Sequence, residues 1–300
     1  MKKPTLLLSL FLTLLFTTSG CDLLDQDSYQ EYIMIESYAY AGLSYPEILI
    51  TRTMPADVAY SEADAAISQA AVRLSKVGEN GETTDIVEYI PSDTRPGWYL
   101  PADPDPIIQA ETTYRFDIDI PGNEPIRAET TVPALIEFVG ELPAEVPYRA
   151  ERQLELVLNS PPQSSTGTYY LFNSTALEPS MENLTPFYLA SVEGDDETDY
   201  TDYIVTNSGL ISENNFDRNS DGTITFAYPW IGVSFYGPNQ LVAYSVDKNT
   251  YDLVRTQSVQ LGGSNLSPGE IPNVIYNVEG ALGIFGSMSA DTVYTSFVRP

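Results

Sequence analysis

Tyr114-Arg115-Phe116-Asp117-Ile118-Asp119-Ile120 alternates without exception between an aromatic or aliphatic face and a charged one. A period of two is the signature of a strand that buries one side and wets the other. Working outward, the same character recurs upstream at Tyr32–Tyr38, Glu47–Thr53, Ala70–Val77 and Asp85–Ile90, and downstream at Ile126–Val132. Glu79-Asn80-Gly81 separates two of these runs and suits a hairpin turn. Six or more short strands within roughly 100 residues predict an immunoglobulin-like β-sandwich over residues 31–133.

Residues 91–106 carry Pro91, Pro96, Pro101, Pro104 and Pro106. Proline lacks a backbone N–H, so this stretch is expected to be a stiff extended loop without a central strand. Val132–Pro147, with three further prolines, reads as a linker. Beyond it, Gln153–Leu158, Thr168–Phe172, Thr223–Tyr228 and Leu241–Val246 again read as strands. Asp247 is placed to cap one helix running to about residue 260. The expectation is an all-β chain: an N-terminal immunoglobulin-like sandwich over 31–133, then a larger β-sandwich-type domain with one helix over 134–300.

The 300 residues are 43% hydrophobic, enough for one large or two ordinary domains. Lys and Arg number 14 against 42 Asp and Glu, a formal charge of −28. No basic face for phosphate exists at that balance, so nucleic acid is excluded as a partner. A surface so rich in carboxylate and poor in lysine also suits a salty environment. Histidine is absent. Ser-His-Asp and Cys-His catalysis, His-ligated zinc and imidazole switching are therefore excluded. One cysteine permits neither an internal disulfide nor a cysteine metal cluster.

That cysteine is well placed. Met1-Lys2-Lys3 precedes an apolar run from Leu6 to Phe16, too short to span a bilayer but of signal-peptide length. Thr17-Thr18-Ser19-Gly20-Cys21 then resembles the lipobox of bacterial lipoproteins. The expectation is a signal peptide over 1–20, then an acylated Cys21 and polar tether over 21–30. The membrane would be met through the lipid on Cys21, since two or more acyl chains anchor stably.

Asp217-Arg218-Asn219-Ser220-Asp221-Gly222 has oxygen donors at alternate positions, as the start of a calcium loop does, so Asp217, Asn219 and Asp221 are candidate Ca2+ ligands. The twelfth position is Tyr228 where a bidentate Glu is wanted, and turn residues explain the stretch equally well. Glu193–Asp202 reads as a solvated acidic loop. Gly280-Ala281-Leu282-Gly283-Ile284-Phe285-Gly286 has the wrong spacing for a dinucleotide site and no P-loop Lys. Ser245-Val246-Asp247-Lys248 matches Ser-x-x-Lys only by chance. Trp230, Phe235 and Tyr236 are candidate ligand- or partner-contacting residues, and with Trp98 and Tyr99 could stack on sugars. Paired carboxylates leave a hydrolase open.

Taken in order, several stretches resemble a Bacteroidota lipoprotein family designated domain of unknown function 4249 (DUF4249). They are Ile33-Met34-Ile35-Glu36-Ser37, Ile48–Thr53, Ala70–Leu74, Gly97-Trp98-Tyr99, Thr113-Tyr114-Arg115, Ala128–Pro133 and the closing Asn277-Val278-Glu279-Gly280-Ala281-Leu282-Gly283-Ile284-Phe285-Gly286. The resemblance implies an all-β protein anchored in the outer membrane, facing the periplasm or the cell surface. It also implies an accessory role beside a TonB-dependent receptor and a structural turn at 217–222, and it carries over no catalytic residues. The expectation is a non-enzymatic binding protein with no cofactor, Ca2+ at 217–221 aside. A calcium-stabilised adhesion module and a carboxylate-dependent envelope hydrolase are the alternatives.

Overall fold

The structure, a computed structural model, describes residues 29–159, 167–195, 197–260 and 273–300. Cys21, with the expected signal peptide and lipobox, lies outside these residues. The chain is all-β, as the alternating runs predict. The first half forms β1 (Ile33–Tyr40), β2 (Ile48–Arg52), β3 (Ala71–Val77), β4 (Thr83–Pro91), β5 (Trp98–Pro101), β6 (Thr113–Asp119) and β7 (Ile126–Thr131). Then come β8 (Glu137–Phe138), β9 (Glu145–Pro147), β10 (Leu154–Asn159), β11 (Tyr169–Ala176), β12 (Val205–Asn207), β13 (Ile211–Ser212) and β14 (Ile224–Tyr228). β15 (Gly237–Val246), β16 (Val278–Glu279) and β17 (Leu282–Val298) complete the set.

Most of these strands join one mixed sheet in the order β12-β11-β15-β17-β1-β2-β5-β4-β3-β6-β7-β16, while β14, β10 and β8 form a second. The sheet folds over on itself in the first half. Phe116 of β6 meets Phe285 of β17 with ring centroids 4.6 Å apart, inside a core that also takes Ile35, Ile50, Leu74 and Tyr99. In the second core Phe172 of β11 stacks on Phe226 of β14 at 4.0 Å, with Leu156 and Leu158 of β10 beside them. β17 is 17 residues long, which at strand rise is about 55 Å. Its first part pairs in parallel with β1 and its later part antiparallel with β15, so Phe285 enters the first core and Phe297 the second.

Three expectations need correction. The proline-rich stretch does hold a central strand: β5 lies between β2 and β4. It succeeds because it is only four residues long and its prolines fall at ends, with Pro91 closing β4 and Pro101 closing β5. The proposed linker contains β8 and β9, which pair with β10 and β17. And the expected helix, α3 (Lys248–Gln260), is accompanied by α1 (Glu62–Ala65) and α2 (Pro186–Gly194). Pro186 opens α2, whose apolar residues are spread around the helix instead of along one stripe, so no helical period marks it in the sequence.

Candidate functional site

β9 ends at Pro147, and the two residues that follow build the most distinctive site on the molecule. Tyr148 is buried and Arg149 exposed; Trp230 lies beyond β14, in a single 3-10 turn from Trp230 to Gly232. The Tyr148 ring stands edge-on to Trp230 at 6.0 Å and to Tyr236 at 5.5 Å, and Phe187 of α2 meets Trp230 at 5.9 Å. The Arg149 guanidinium lies over Trp230, 4.0 Å from the ring centroid, and 5.6 Å from that of Tyr148. Such a contact contributes about 0.5–2 kcal/mol. Tyr148, Arg149 and Trp230 line a pocket of about 560 Å³ together with Val146, Leu154, Val233 and Phe297 and the polar Glu151, Arg152 and Gln153.

The electrostatics set Arg149 apart. Among the described residues, Arg149, Arg255 and Arg299 are the basic side chains without an ion pair to a carboxylate, and each lies over an aromatic ring instead. Arg152, in the same lining, is matched by Glu155. Arg149 also sits at φ +57°, a left-handed conformation that costs a non-glycine residue about 1–3 kcal/mol. The Tyr148 hydroxyl is buried with no hydrogen-bond partner among the described residues. Burial raises the phenol pKa of Tyr236, against the pull of Arg299 and Arg149, and pushes that of Tyr228 up to about 12.

The three aromatic residues chosen from sequence therefore divide. Trp230 belongs to the pocket. Tyr236 supports it through Tyr148, with Arg299 5.0 Å above its ring. Phe235 is a correction: it is fully buried in a small core with Leu184 and Tyr188, in a run of three buried residues that bridges to Leu184 ahead of β15. The sugar-stacking idea fares no better, since Trp98 carries Arg95 at 4.7 Å and Tyr99 is wholly buried. Tyr148 and Arg149 escaped the sequence reading. They have no local motif, and the only signal was an arginine in a chain with few to spare.

A profile of the family described as Domain of unknown function (DUF4249) matches residues 23–293. The chain belongs to that family. No curated protein matches it.

In this DUF4249 protein the closing glycine signature has a mechanical meaning. The Asn277 side-chain amide donates to the carbonyls of Glu129 and Phe285, both at 2.8 Å, and its oxygen accepts from the Phe285 N–H at 3.0 Å. One side chain thereby ties β7 to β17. Gly280 turns the chain at φ +82° between β16 and β17. At 217–222, Asp221 Oδ1 accepts from the Thr223 N–H at 3.0 Å and its hydroxyl at 2.7 Å, which holds the Asp221 carboxyl below the ordinary range. The Asn219 side chain bonds Thr223 and Thr225, and Asp217 is exposed. These contacts are those of a turn leading into β14. In the acidic segment, Asp199 and Asp202 cap a short helical turn over Tyr200–Tyr203 by reciprocal bonds to backbone N–H groups.

A second cavity, of about 420 Å³, lies where β7, the end of β15 and the start of α3 meet. Asp247 caps α3 there through a 3.0 Å bond from the Thr250 N–H and accepts from the Thr130 hydroxyl at 2.7 Å. Thr130 in turn reaches Ser287 of β17 at 2.6 Å. Burial raises the Asp247 carboxyl pKa, against the opposing pull of those hydrogen bonds.

Proposed function

We propose that this protein is a non-enzymatic binding component of the outer envelope, anchored through acylated Cys21 and working as an accessory of a TonB-dependent uptake receptor. The anchor rests on the lipobox-like Thr17–Cys21 and the receptor on what the family resemblance implies. The pocket of Tyr148, Arg149 and Trp230 is then the place where ligand or partner is held. One observation carries that choice: in a chain with 42 acids, Arg149 lies exposed on Trp230 and pairs with no carboxylate among the described residues. A residue held in a costly backbone conformation beside an aromatic-walled pocket is where binding function concentrates.

The test is a mild crosslink of the lipidated protein in its native envelope, followed by capture and mass spectrometry, for wild type and Trp230→Ala. Recovery of a TonB-dependent receptor in stoichiometric amount with wild type, and its loss with a folded Trp230→Ala, supports the reading. Equal recovery with both variants removes the pocket from it, and recovery of bulk envelope alone removes the receptor.

A further inference from the structure

Over β12, β11, β15 and β17 the mixed sheet turns one face outward, opposite the side that carries Phe172 and Leu241 into the second core. We infer that this face is a platform for a neutral polysaccharide, seated on Tyr40, Tyr244 and Tyr294 and hydrogen-bonded by the side chains of Asn173, Asn207 and Gln240. It is a surface apart from the pocket of Arg149 and Trp230 and does not rest on that pocket.

The register defines the face. From Leu171 to Thr175 on β11, Gln240 to Tyr244 on β15 and Ala290 to Tyr294 on β17, alternate residues point outward and none of them is charged. Val205 and Asn207 of β12 extend the uncharged face by one strand. At one end it is closed by α3, where Tyr251 stacks on Tyr169 at 3.7 Å. A strand face that only has to meet water looks different in the same molecule. On β6 and β7 the outward positions hold Arg115, Asp117, Asp119, Arg127 and Glu129, all tied in ion pairs.

The absence of charge selects the ligand class. A face without a base offers nothing to an anionic polymer, which the net charge of −28 repels, and a face without an acid offers nothing to a cationic one. A neutral ligand covers it without stranding a charge away from water. The polar groups present are those that match sugar hydroxyls, which both donate and accept. Asn173 Nδ2 donates to Asn207 Oδ1 at 3.0 Å, and Asn173 Oδ1 accepts from the Thr175 hydroxyl at 3.0 Å. Gln240 Nε2 donates to the Tyr294 hydroxyl at 3.3 Å. An amide has two N–H donors and two carbonyl lone pairs, so these bonds position the side chains and leave further hydrogen-bonding capacity.

The tyrosines supply the apolar part. Tyr294 is 60% exposed and Tyr40 37%. Burial and the nearby Tyr244 phenol raise the Tyr40 pKa, so Tyr40 continues the tyrosine surface past β17 onto β1. A phenol ring gives the C–H side of a pyranose an apolar contact and its hydroxyl a polar one. A protein interface draws on Arg, Trp and Met beside tyrosine, and none of the three lies on this face. Four strands by five residues cover about 14 Å each way, room for several sugar rings in a chain.

The experiment is affinity electrophoresis of the full chain in native gels cast with dextran, galactomannan, arabinoxylan or mixed-linkage β-glucan, with polygalacturonate as the charged control. Retardation by at least one neutral polymer and none by polygalacturonate is expected. Tyr294→Ala should raise the dissociation constant about tenfold and Asn173→Ala severalfold, with melting temperatures checked for both. If Tyr294→Ala does not fold, Tyr40→Ala carries the test. No retardation by any neutral polymer, equal retardation by polygalacturonate, or indifference to both substitutions overturns the platform. Retardation that Trp230→Ala abolishes and Tyr294→Ala leaves intact overturns it too and assigns the polymer to the pocket. If no polymer binds and Tyr294→Ala loses a protein captured from the native envelope, the face is a protein contact and the polysaccharide is overturned.

Discussion

Gly283 stands opposite Ile35 in the parallel ladder of β1 and β17, at φ +117°, and a Cβ at position 283 would lie 1.9 Å from the Ile35 carbonyl oxygen. That is backbone, which cannot swing aside. Gly283→Ala is therefore expected to destabilise by more than about 3 kcal/mol or to prevent folding. At Gly286 the same methyl would meet the Thr250 hydroxyl at 2.3 Å, a side-chain atom that can rotate, so Gly286→Ala should cost clearly less. Chemical denaturation of both variants checks the order, and equal losses would show that the close approach at 283 is not what constrains it.

Phe235 and Trp230 lie five residues apart in sequence and behave oppositely in the fold. Phe235→Ala opens a cavity in a fully buried site and should cost about 3–5 kcal/mol. Trp230→Ala removes a half-buried pocket wall and should cost less while losing the bound ligand. Urea midpoints distinguish them; similar losses would mean that Trp230 is a core residue rather than a wall.

The left-handed backbone at Arg149 separates conformational cost from side-chain contact. Arg149→Ala and Arg149→Gly both remove the contact with Trp230, but only glycine adopts φ +57° freely. Arg149→Gly should therefore be more stable than Arg149→Ala by about 1 kcal/mol. Thermal denaturation of the pair measures this directly, and identical stabilities would show that the loop relaxes when the guanidinium is gone.

Asp247 makes stability depend on pH with a definite sign. Its carboxyl pKa is raised in the fold by burial, so between the unfolded value near 3.9 and the raised folded one the native state holds a proton that the unfolded chain has lost. The contribution is complete below the unfolded pKa and is lost as pH rises through the folded one. Asp247→Asn keeps an N-cap acceptor without ionising, so the variant should gain on wild type as pH rises. Denaturant midpoints from pH 4 to pH 9 would show it; parallel curves would refute it.

Asp221 tests turn against calcium loop. If its bonds to Thr223 are its role, Asp221→Ala lowers the melting temperature equally with and without a chelator, and the chelator leaves wild type unchanged. A melting shift of wild type on chelation that Asp221→Ala abolishes would restore the calcium reading.

How much of this was readable in advance depended on how local the cause was. The alternation at Tyr114–Ile120 was reproduced in burial, with Tyr114, Phe116 and Ile118 inside, because strand periodicity is a property of neighbouring residues. The helix after Asp247 followed from a cap that acts within one turn. Composition alone removed histidine chemistry, and the order of short motifs pointed to the DUF4249 family.

Other features have causes far apart in the chain, and only the tertiary structure decided them. Whether Phe235 or Trp230 faces outward depends on which strands flank that segment. That β5 survives among prolines depends on β2 and β4 both offering edges to it. The pocket joins Tyr148 and Arg149 to Trp230 across about 80 residues, and Asn277 reaches back to Glu129. β17 is the extreme case. In the sequence its glycines fit neither a dinucleotide site nor a P-loop, whereas Gly283 and Gly286 are places where a strand through both cores passes too close to its neighbours for a side chain. A sequence states which residues can be buried or turned; which of them meet is settled by packing between segments that it does not place side by side.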